Sequence, residues 1–312
     1  MPVKHLISIT DLTSKDILQI LKTALVLKKE IKKGKGNKLV LKNKTLVMIF
    51  EKPSLRTRVS FEIGMTQLGG HGIYLGPAEI GLGVRESIFD VSRVISSMAD
   101  VIMARTFKHE SVVELAKYSS VPVINGLSDL EHPCQILADL LTIFEIKKKF
   151  KGLNLCFIGD GENNVTHSLA LASGMLGINF SVASPKGFVM RGEIVSKAQG
   201  FAKKNKAKIF ETYDPPKAVA NADVVYTDTW ISMGDEAEKK QRLKIFKNYQ
   251  ITTKLMSLAK KNAIFMHDMP AYRGNEVEAA VIDSPQSVII QQAENRMHAQ
   301  KALILYLLNI HY

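Results

Sequence analysis

The hydrophobic pattern of the first half alternates between short apolar runs and longer stretches in which apolar residues recur every third or fourth position. The short runs have the length and composition of buried strands, and they lie at 46–50, 73–75, 101–103 and 121–124. The longer stretches have the spacing of amphipathic helices, and they lie at 10–33, 56–69, 87–98, 109–118 and 133–147. Strands that alternate with helices in this way predict a parallel α/β sheet.

A second alternation follows the lysine-rich run 146–152, which we take as the domain boundary. Strands are predicted at 153–158, 179–183, 223–226 and 263–266, and helices at 164–176, 191–204 and 291–309. The sequence thus predicts two doubly wound parallel-sheet domains, residues 1–147 and 148–312, facing each other across an active site. In such folds ligands bind at the carboxyl ends of the strands.

Composition excludes several classes of function. The formal net charge of +12 is carried mostly by lysines at predicted helix ends, without the interleaved arginines and aromatics of a nucleic-acid surface. No apolar run is long enough to span a membrane, and residues 1–5 begin no signal-peptide pattern, so we expect a cytoplasmic protein. Cys134 and Cys156 lie in a polar motif and an apolar strand, which makes a disulfide improbable.

The turn between strand 46–50 and the helix that follows carries the strongest chemical signal. Ser54 and Thr57 supply hydroxyl donors, and Arg56 and Arg58 supply guanidinium forks. The backbone N–H groups of a helix start add further donors and the positive end of the helix dipole. This combination exceeds the needs of an ordinary helix cap and predicts a phosphate site.

Two further sites follow other strands of the same half. Ala104-Arg105-Thr106 comes directly after strand 101–103, and His132 and Gln135 flank the start of helix 133–147, where Pro133 takes the first helical position. A histidine can donate to a carbonyl oxygen, and a glutamine can both donate to and accept from an amide-like group. Their shared position at strand ends predicts one ligand site.

These motifs resemble those of the aspartate and ornithine carbamoyltransferases over roughly residues 5–310. Ser54-Leu55-Arg56-Thr57-Arg58 is similar to their phosphate motif, and Arg105-Thr106 and His132-Pro133-Cys134-Gln135 to the motifs that hold the carbamoyl group. Glu294-Asn295-Arg296 resembles the C-terminal motif whose arginine joins the site, which implies that the last helix returns to the first domain. The resemblance assigns carbamoyl phosphate to Ser54, Leu55, Arg56, Thr57, Arg105, His132, Gln135 and Arg296.

Motifs of the second half resemble the ornithine rather than the aspartate branch of the family. Asp228 begins a stretch with the Ser-Met-Gly loop of that branch, and residues 159–164 resemble its Gly-Asp-x-x-Asn-Asn turn. An acidic residue at a strand end suits an α-ammonium group. The resemblance assigns ornithine to Asn164, Asp228, Ser232, Met233, Asp268 and Met269, and catalysis to Arg105, His132 and Asp268. It implies a homotrimer or a multiple of trimers, and neither a metal nor a cofactor.

Three positions depart from the family pattern. Leu55 replaces a threonine, which is harmless if that position acts through its backbone N–H. Asp268 stands where the family places a cysteine beside the side-chain amine of ornithine. Gly81 replaces a Gln or His that reaches into a neighbouring subunit, so that contact is in question here.

The resemblance implies transfer of the carbamoyl group of carbamoyl phosphate to L-ornithine, giving citrulline in arginine biosynthesis or in the catabolic reverse. N-acetylornithine and putrescine remain alternative acceptors. The run Gly159-Asp160-Gly161 also mimics half of a dinucleotide-binding fingerprint, although Asn164 stands at the third glycine. A non-enzymatic anion- or nucleic-acid-binding protein has only the positive charge in its favour.

Overall fold

The computed structural model describes residues 4–231 and 236–312. Nine strands are defined in this part of the chain: β1 Thr45–Phe50, β2 His71–Leu75, β3 Val101–Arg105, β4 Val123–Leu127, β5 Asn154–Ile158, β6 Asn179–Ala183, β7 Ile209–Thr212, β8 Val224–Thr227 and β9 Ile264–His267. The α-helices described are α1 Ser14–Lys32, α2 Leu55–Gln67, α3 Pro77–Ile80, α4 Ile88–Ser96, α5 His109–Tyr118, α6 Pro133–Lys147, α7 Asn164–Leu176, α8 Gly192–Asn205, α9 Pro215–Val219, α10 Lys239–Phe246, α11 Thr253–Met256, α12 Ala279–Ile282 and α13 Ile289–Leu307.

The strands form two sheets, and every pairing within them is parallel. The first has the order β2-β1-β3-β4 and the second the order β7-β6-β5-β8-β9. In each sheet the chain starts near the middle, runs to one edge and then continues on the other side. The order therefore reverses between β1 and β3 and between β5 and β8, and ligands bind at such switch points. The predicted pair of doubly wound parallel sheets is confirmed.

The chain divides into two compact units. The first holds the residues up to Leu141 together with Glu294–Tyr312, and the second holds Thr142–Ala293. Both passages between the units lie inside helices, α6 and α13. The lysine-rich run that suggested a boundary comes later, at the end of α6. The C-terminal helix packs on the first unit from Glu294 onward, as expected.

A side-chain cap explains where the first long helix begins. The predicted helix 10–33 starts only at Ser14 because Thr13 and Asp16 form a reciprocal cap, in which each side chain accepts from the other's backbone N–H. Strand β7 was not predicted from sequence, because it is a four-residue edge strand with only its first residue buried.

No helix among the described residues is both long and apolar enough to cross a bilayer.

Candidate active site

In the first unit, the predicted phosphate motif forms the start of α2 at the switch point of the sheet. Ser54 is the N-cap, and its hydroxyl accepts from the Thr57 N–H at 3.4 Å and donates to the Thr57 hydroxyl at 3.0 Å. Thr57 is buried, whereas Ser54 and Arg56 are half-buried. Leu55 is 74% exposed, so its side chain lies outside the core of the unit. Although Leu55 is the first residue of α2, its side chain is therefore not packed into the unit.

Arg58 differs from the other arginine of the motif. Its Nε donates to Glu62 Oε1 at 2.9 Å, and its guanidinium lies 4.0 Å from the ring centre of Tyr74. Glu62 lies on α2 and Tyr74 on β2; both are half-buried, and Arg58 is exposed. Of the two arginines in the motif, Arg58 thus has its guanidinium engaged by Glu62 and Tyr74, which favours Arg56 as the one that serves an anion.

The C-terminal helix supplies the next part of the site. Arg296 donates from Nη2 to Thr57 Oγ1 and from Nη1 to Gln135 Oε1, both at 2.7 Å. Gln135 in turn donates from Nε2 to Asp139 Oδ1 at 2.9 Å. All four side chains are buried. The structure thus joins α2, α6 and α13 through side chains that sequence alone assigned to a single ligand.

Arg105 and His132 complete this group within the same unit. Arg105 is the last residue of β3, on the other side of the switch point from Ser54, and it is 7% exposed. His132 precedes α6, where its carbonyl accepts from the Gln135 and Ile136 N–H groups. Burial holds the pKa of His132 well below its ordinary value, and the positive charges of Arg296, Arg105 and Lys52 lower it further. His132 is therefore a neutral imidazole that can donate one hydrogen bond.

Cys134 lies in the same motif as His132 and Gln135, but its thiol is buried away from solvent. Its thiol donates to the Asn125 carbonyl at 3.3 Å, and burial raises its pKa to about 12. A thiol held in that state is a poor nucleophile, because the thiolate is the reactive form. The sulfur therefore belongs to the packing of α6 against β4.

In the second unit, Asp228 lies at the switch point between β5 and β8. Its Oδ2 accepts from Asn163 Nδ2 at 2.9 Å, and its Oδ1 accepts from the Thr229 N–H at 2.8 Å. Asn163 also caps α7, because its Oδ1 accepts from the Val165 N–H. Asn164, the residue suggested by resemblance, is the first residue of that helix and is half-buried. Asn163 was missed, although an Asn just before a predicted helix is the usual signal of a cap.

The carboxyl of Asp228 is 7% exposed, and its pKa is raised to about 6. Burial is the main cause, since it penalises the charged form, and repulsion from the Asp268 carboxylate adds to it. The Thr229 N–H and Asn163 act in the opposite direction, because their hydrogen bonds stabilise the charged form. His267 Nδ1 lies 4.0 Å from Asp228 Oδ1. Asp228 is hence ionised near neutral pH but titrates within reach of physiological conditions.

His267 organises the loop that carries Asp268 and Met269. Its Nδ1 accepts from the Met269 N–H at 2.8 Å, so the ring proton sits on Nε2, which faces Glu276 Oε1 at 3.1 Å. Glu276 is fully buried and also accepts from the Tyr272 N–H at 2.5 Å. The loop bends at Met269, which has a positive φ of 66°. Asp268 and Met269 are both half-buried.

Sequence reasoning gave His267 no role and missed Glu276, because nothing in the pattern marks a loop glutamate nine residues later as the partner of a histidine. Ser232 and Met233 lie outside the described residues. Among the residues described, no group of three or more His, Cys, Asp or Glu side chains is placed to hold a metal ion.

The turn after β5 differs from a dinucleotide site. A Cβ at Gly161 would lie 2.6 Å from the Phe188 carbonyl oxygen and from Ser184 Oγ, so this glycine serves close packing within the unit. The start of α7 is already capped by Asn163, which holds the Asp228 carboxylate beside it. A pyrophosphate would meet negative charge there, which disfavours the dinucleotide alternative.

Comparison with known proteins covers nearly the whole chain. Family models described as the carbamoyl-P binding domain and the Asp/Orn binding domain of aspartate/ornithine carbamoyltransferase match residues 4–145 and 151–307. The ornithine carbamoyltransferase of Anoxybacillus flavithermus is 50% identical over 305 residues, 98% of this chain and 96% of that protein. The ornithine carbamoyltransferase structure from Pyrococcus furiosus is 47% identical, with a TM-score of 0.95 over 99% of this chain and 98% of that one. The structure of the anabolic ornithine carbamoyltransferase from Campylobacter jejuni is 42% identical, with a TM-score of 0.93, and the match covers 98% of this chain and 99% of that one.

Proposed function

Since the chain belongs to the aspartate/ornithine carbamoyltransferase family, we propose that it transfers the carbamoyl group of carbamoyl phosphate to the side-chain amine of L-ornithine, giving L-citrulline and phosphate. The first unit holds carbamoyl phosphate and the second holds the amino acid. The observation that carries the choice of acceptor is the buried Asp228 carboxylate, held by Asn163 at the switch point of the second sheet.

The acceptor is chosen by charge. A buried carboxylate needs a cationic partner, and the α-ammonium group of ornithine provides one. N-acetylornithine has an uncharged amide at that position and would leave Asp228 with an unmatched charge, so it binds less well than ornithine. Putrescine keeps an ammonium group for Asp228 but lacks the α-carboxylate, so it forfeits the contacts that ornithine makes through that group. We expect Asp228→Ala to lose ornithine while keeping carbamoyl phosphate.

Carbamoyl phosphate is held by hydrogen-bond donors that are already in place. Ser54, Arg56, Thr57 and the helix N–H groups surround the phosphate, and Leu55 contributes only its backbone N–H. Arg296 donates to Gln135 and Thr57, so it braces two segments of the proposed site and brings its positive charge to the phosphate. Gln135 Oε1 has a second lone pair, which can accept from the carbamoyl NH2 group.

The reaction is a direct attack of the neutral δ-amine on the carbamoyl carbon, with phosphate as the leaving group. Arg105 and the neutral His132 donate to the carbonyl oxygen, where negative charge develops. No side chain becomes a covalent nucleophile, in keeping with the inert Cys134 thiol. Catalysis is then positioning together with charge stabilisation. Asp268 is proposed to attract the side-chain amine and to accept its proton, the role that makes it catalytic.

One assay tests the proposal. Citrulline formation from carbamoyl phosphate is measured with ornithine, putrescine, N-acetylornithine and aspartate side by side. Ornithine should give by far the highest kcat/KM. A higher value for any of the other three amines would reject ornithine as the acceptor, and a higher value for N-acetylornithine would also reject the role of Asp228.

The oligomer is proposed to be a homotrimer or a multiple of one. Leu55, Val59 and Ile63 recur at helical spacing along α2 and are all exposed, which gives the first unit an apolar stripe suited to another copy of the chain. Sedimentation equilibrium gives the mass directly. A monomer at micromolar concentration would contradict this proposal.

The proposed physiological role is citrulline formation for arginine biosynthesis in the cytoplasm. The similarity to the anabolic enzyme of Campylobacter jejuni supports that direction. Both cysteines are free and buried, which suits a reducing compartment. Arginine auxotrophy after deletion of the gene, relieved by citrulline, would support the role, and normal growth without arginine would contradict it.

A further inference from the structure

Arg242 lies outside every motif discussed so far, yet it is among the most enclosed charges of the second unit. It lies in α10 and is 6% exposed. Its Nη2 forms an ion pair with Asp160 Oδ2, and its Nε donates to the Trp230 carbonyl at 2.6 Å. Asp160 is buried as well. A single side chain thus binds two points that are 70 residues apart in the sequence (160 and 230).

Aromatic rings fix the orientation of this guanidinium. Its central carbon lies 4.9 Å from the ring centre of Phe188 and 5.3 Å from that of Phe246. Trp230 stacks on Phe246 with the ring centres 5.8 Å apart. A planar guanidinium can stack on rings and donate in its own plane at the same time, whereas a lysine ammonium cannot. The arrangement therefore requires arginine specifically.

The two points that Arg242 joins are the two turns that carry the acceptor site. Asp160 belongs to the turn after β5, whose last residue is Asn163. Trp230 belongs to the segment after β8, which begins at Asp228. Asn163 donates to Asp228 at 2.9 Å, so the same two segments are linked twice.

We infer that Arg242 is a positioning residue for the amino-acid acceptor: by holding the Asp160 carboxylate and the Trp230 carbonyl together, it sets the distance at which Asn163 meets Asp228. This inference rests on the proposed function, because it assumes that ornithine binds at Asp228. Arg242 touches neither substrate nor reacting atoms.

Loss of the guanidinium leaves the Asp160 carboxylate buried without its cation. Burial already raises the pKa of Asp160, and Arg242 is the main group that counters this. Without Arg242 the carboxyl protonates or the turn moves toward water, and either change releases the segment after β8. A misplacement of about 1 Å in a binding group can cost on the order of 10²-fold in rate.

A second ion pair in the same unit provides a matched control. Lys260 Nζ lies 2.8 Å from both carboxylate oxygens of Asp223, and Asp223 accepts from the Asn154 N–H. Asp223 precedes β8 and Asn154 begins β5, so this pair links the same two strands at their opposite, amino ends. Its removal perturbs the unit without touching the acceptor turns.

The experiment compares Arg242→Lys, Asp160→Asn and Lys260→Met with the wild type. KM for ornithine, KM for carbamoyl phosphate, kcat and melting temperature are measured for each. Arg242→Lys and Asp160→Asn should raise KM for ornithine about tenfold or more, with KM for carbamoyl phosphate unchanged within about twofold. Lys260→Met should leave both KM values within about twofold of the wild type, even if its melting temperature falls as much as those of Arg242→Lys and Asp160→Asn.

Three results would overturn the inference: an unchanged KM for ornithine in a folded Arg242→Lys or Asp160→Asn protein, an equal rise of both KM values, or the same selective effect in Lys260→Met. If Arg242→Lys fails to fold, Asp160→Asn decides, since it keeps the size of the side chain. If both fail to fold, Arg242 and Asp160 are simply structural and the inference is wrong. Failure of the proposed function is separate, since it appears in the wild type as absent citrulline formation.

Discussion

Arg296 donates to the Thr57 hydroxyl at 2.7 Å and thereby joins the C-terminal helix to the first turn of α2. The two residues are 239 positions apart. The same guanidinium reaches Gln135 on α6, so one buried arginine braces two of the segments that are proposed to hold carbamoyl phosphate. The position of α13 on the first unit is therefore part of the ligand site as well as of the fold.

Arg296→Lys should weaken carbamoyl phosphate binding at least roughly tenfold. A single ammonium cannot bond Thr57 and Gln135 in one plane, and each lost bond to a charged group is worth about 1.5–3 kcal/mol. Isothermal titration calorimetry with carbamoyl phosphate measures the change. Wild-type affinity in a folded Arg296→Lys protein would show that the bracing has no part in binding.

Arg56→Ala and Arg58→Ala form a matched pair within one motif. Arg56→Ala should lower affinity for carbamoyl phosphate by at least roughly tenfold, since it removes a charged donor at the helix start. Arg58→Ala should leave affinity nearly unchanged, because its guanidinium already binds Glu62 and covers Tyr74 on the surface. Arg105→Ala should behave like Arg56→Ala. An equal loss in Arg58→Ala would contradict the division of roles.

His132→Ala should lower kcat more than it affects binding of carbamoyl phosphate. A neutral donor aimed at a developing oxyanion contributes on the order of 10²–10³ in rate. Since the pKa of His132 lies well below its ordinary value, kcat should show no histidine titration between about pH 6 and 8 in the wild type. An unchanged kcat with a raised KM would mean that His132 only binds.

Periodicity was sufficient for the fold, and strand-end logic supplied part of the candidate site. The switch-point residues Ser54, Arg105 and Asp228 could be found because they lie at or shortly after the ends of apolar strands. Partners that the fold brings in from elsewhere in the sequence could not be found in this way, and Glu276 beside His267 is the clearest example. Sequence alone did not distinguish Arg58 from Arg56, whereas the structure shows that Glu62, one helical turn later, pairs with Arg58. The short edge strand β7 lacked the apolar run that identified the others.

The last prediction concerns Asp268, which replaces the cysteine of the family. Because the pKa of Asp228 is raised to about 6, ornithine binding should weaken as the pH falls through that value and Asp228 loses its charge. Repulsion from Asp268 contributes to this shift, so Asp268→Asn should lower the pKa of Asp228 and move the acid limb of kcat/KM for ornithine to lower pH.

Asp268→Cys separates the electrostatic from the proton-accepting role. A thiol is neutral below about pH 8.5, so this variant should shift the acid limb in the same direction as Asp268→Asn. Both variants should raise KM for ornithine, because the carboxylate that attracts the protonated amine is lost. The wild type should have its optimum on the alkaline side, where the δ-amine becomes neutral, and Asp268→Cys should differ there from Asp268→Asn, since only a thiolate restores an acceptor. Profiles of kcat/KM from about pH 4 to 10 test all three proteins together. Superimposable profiles would show that Asp268 has no part in handling the amine and that burial alone sets the titration of Asp228.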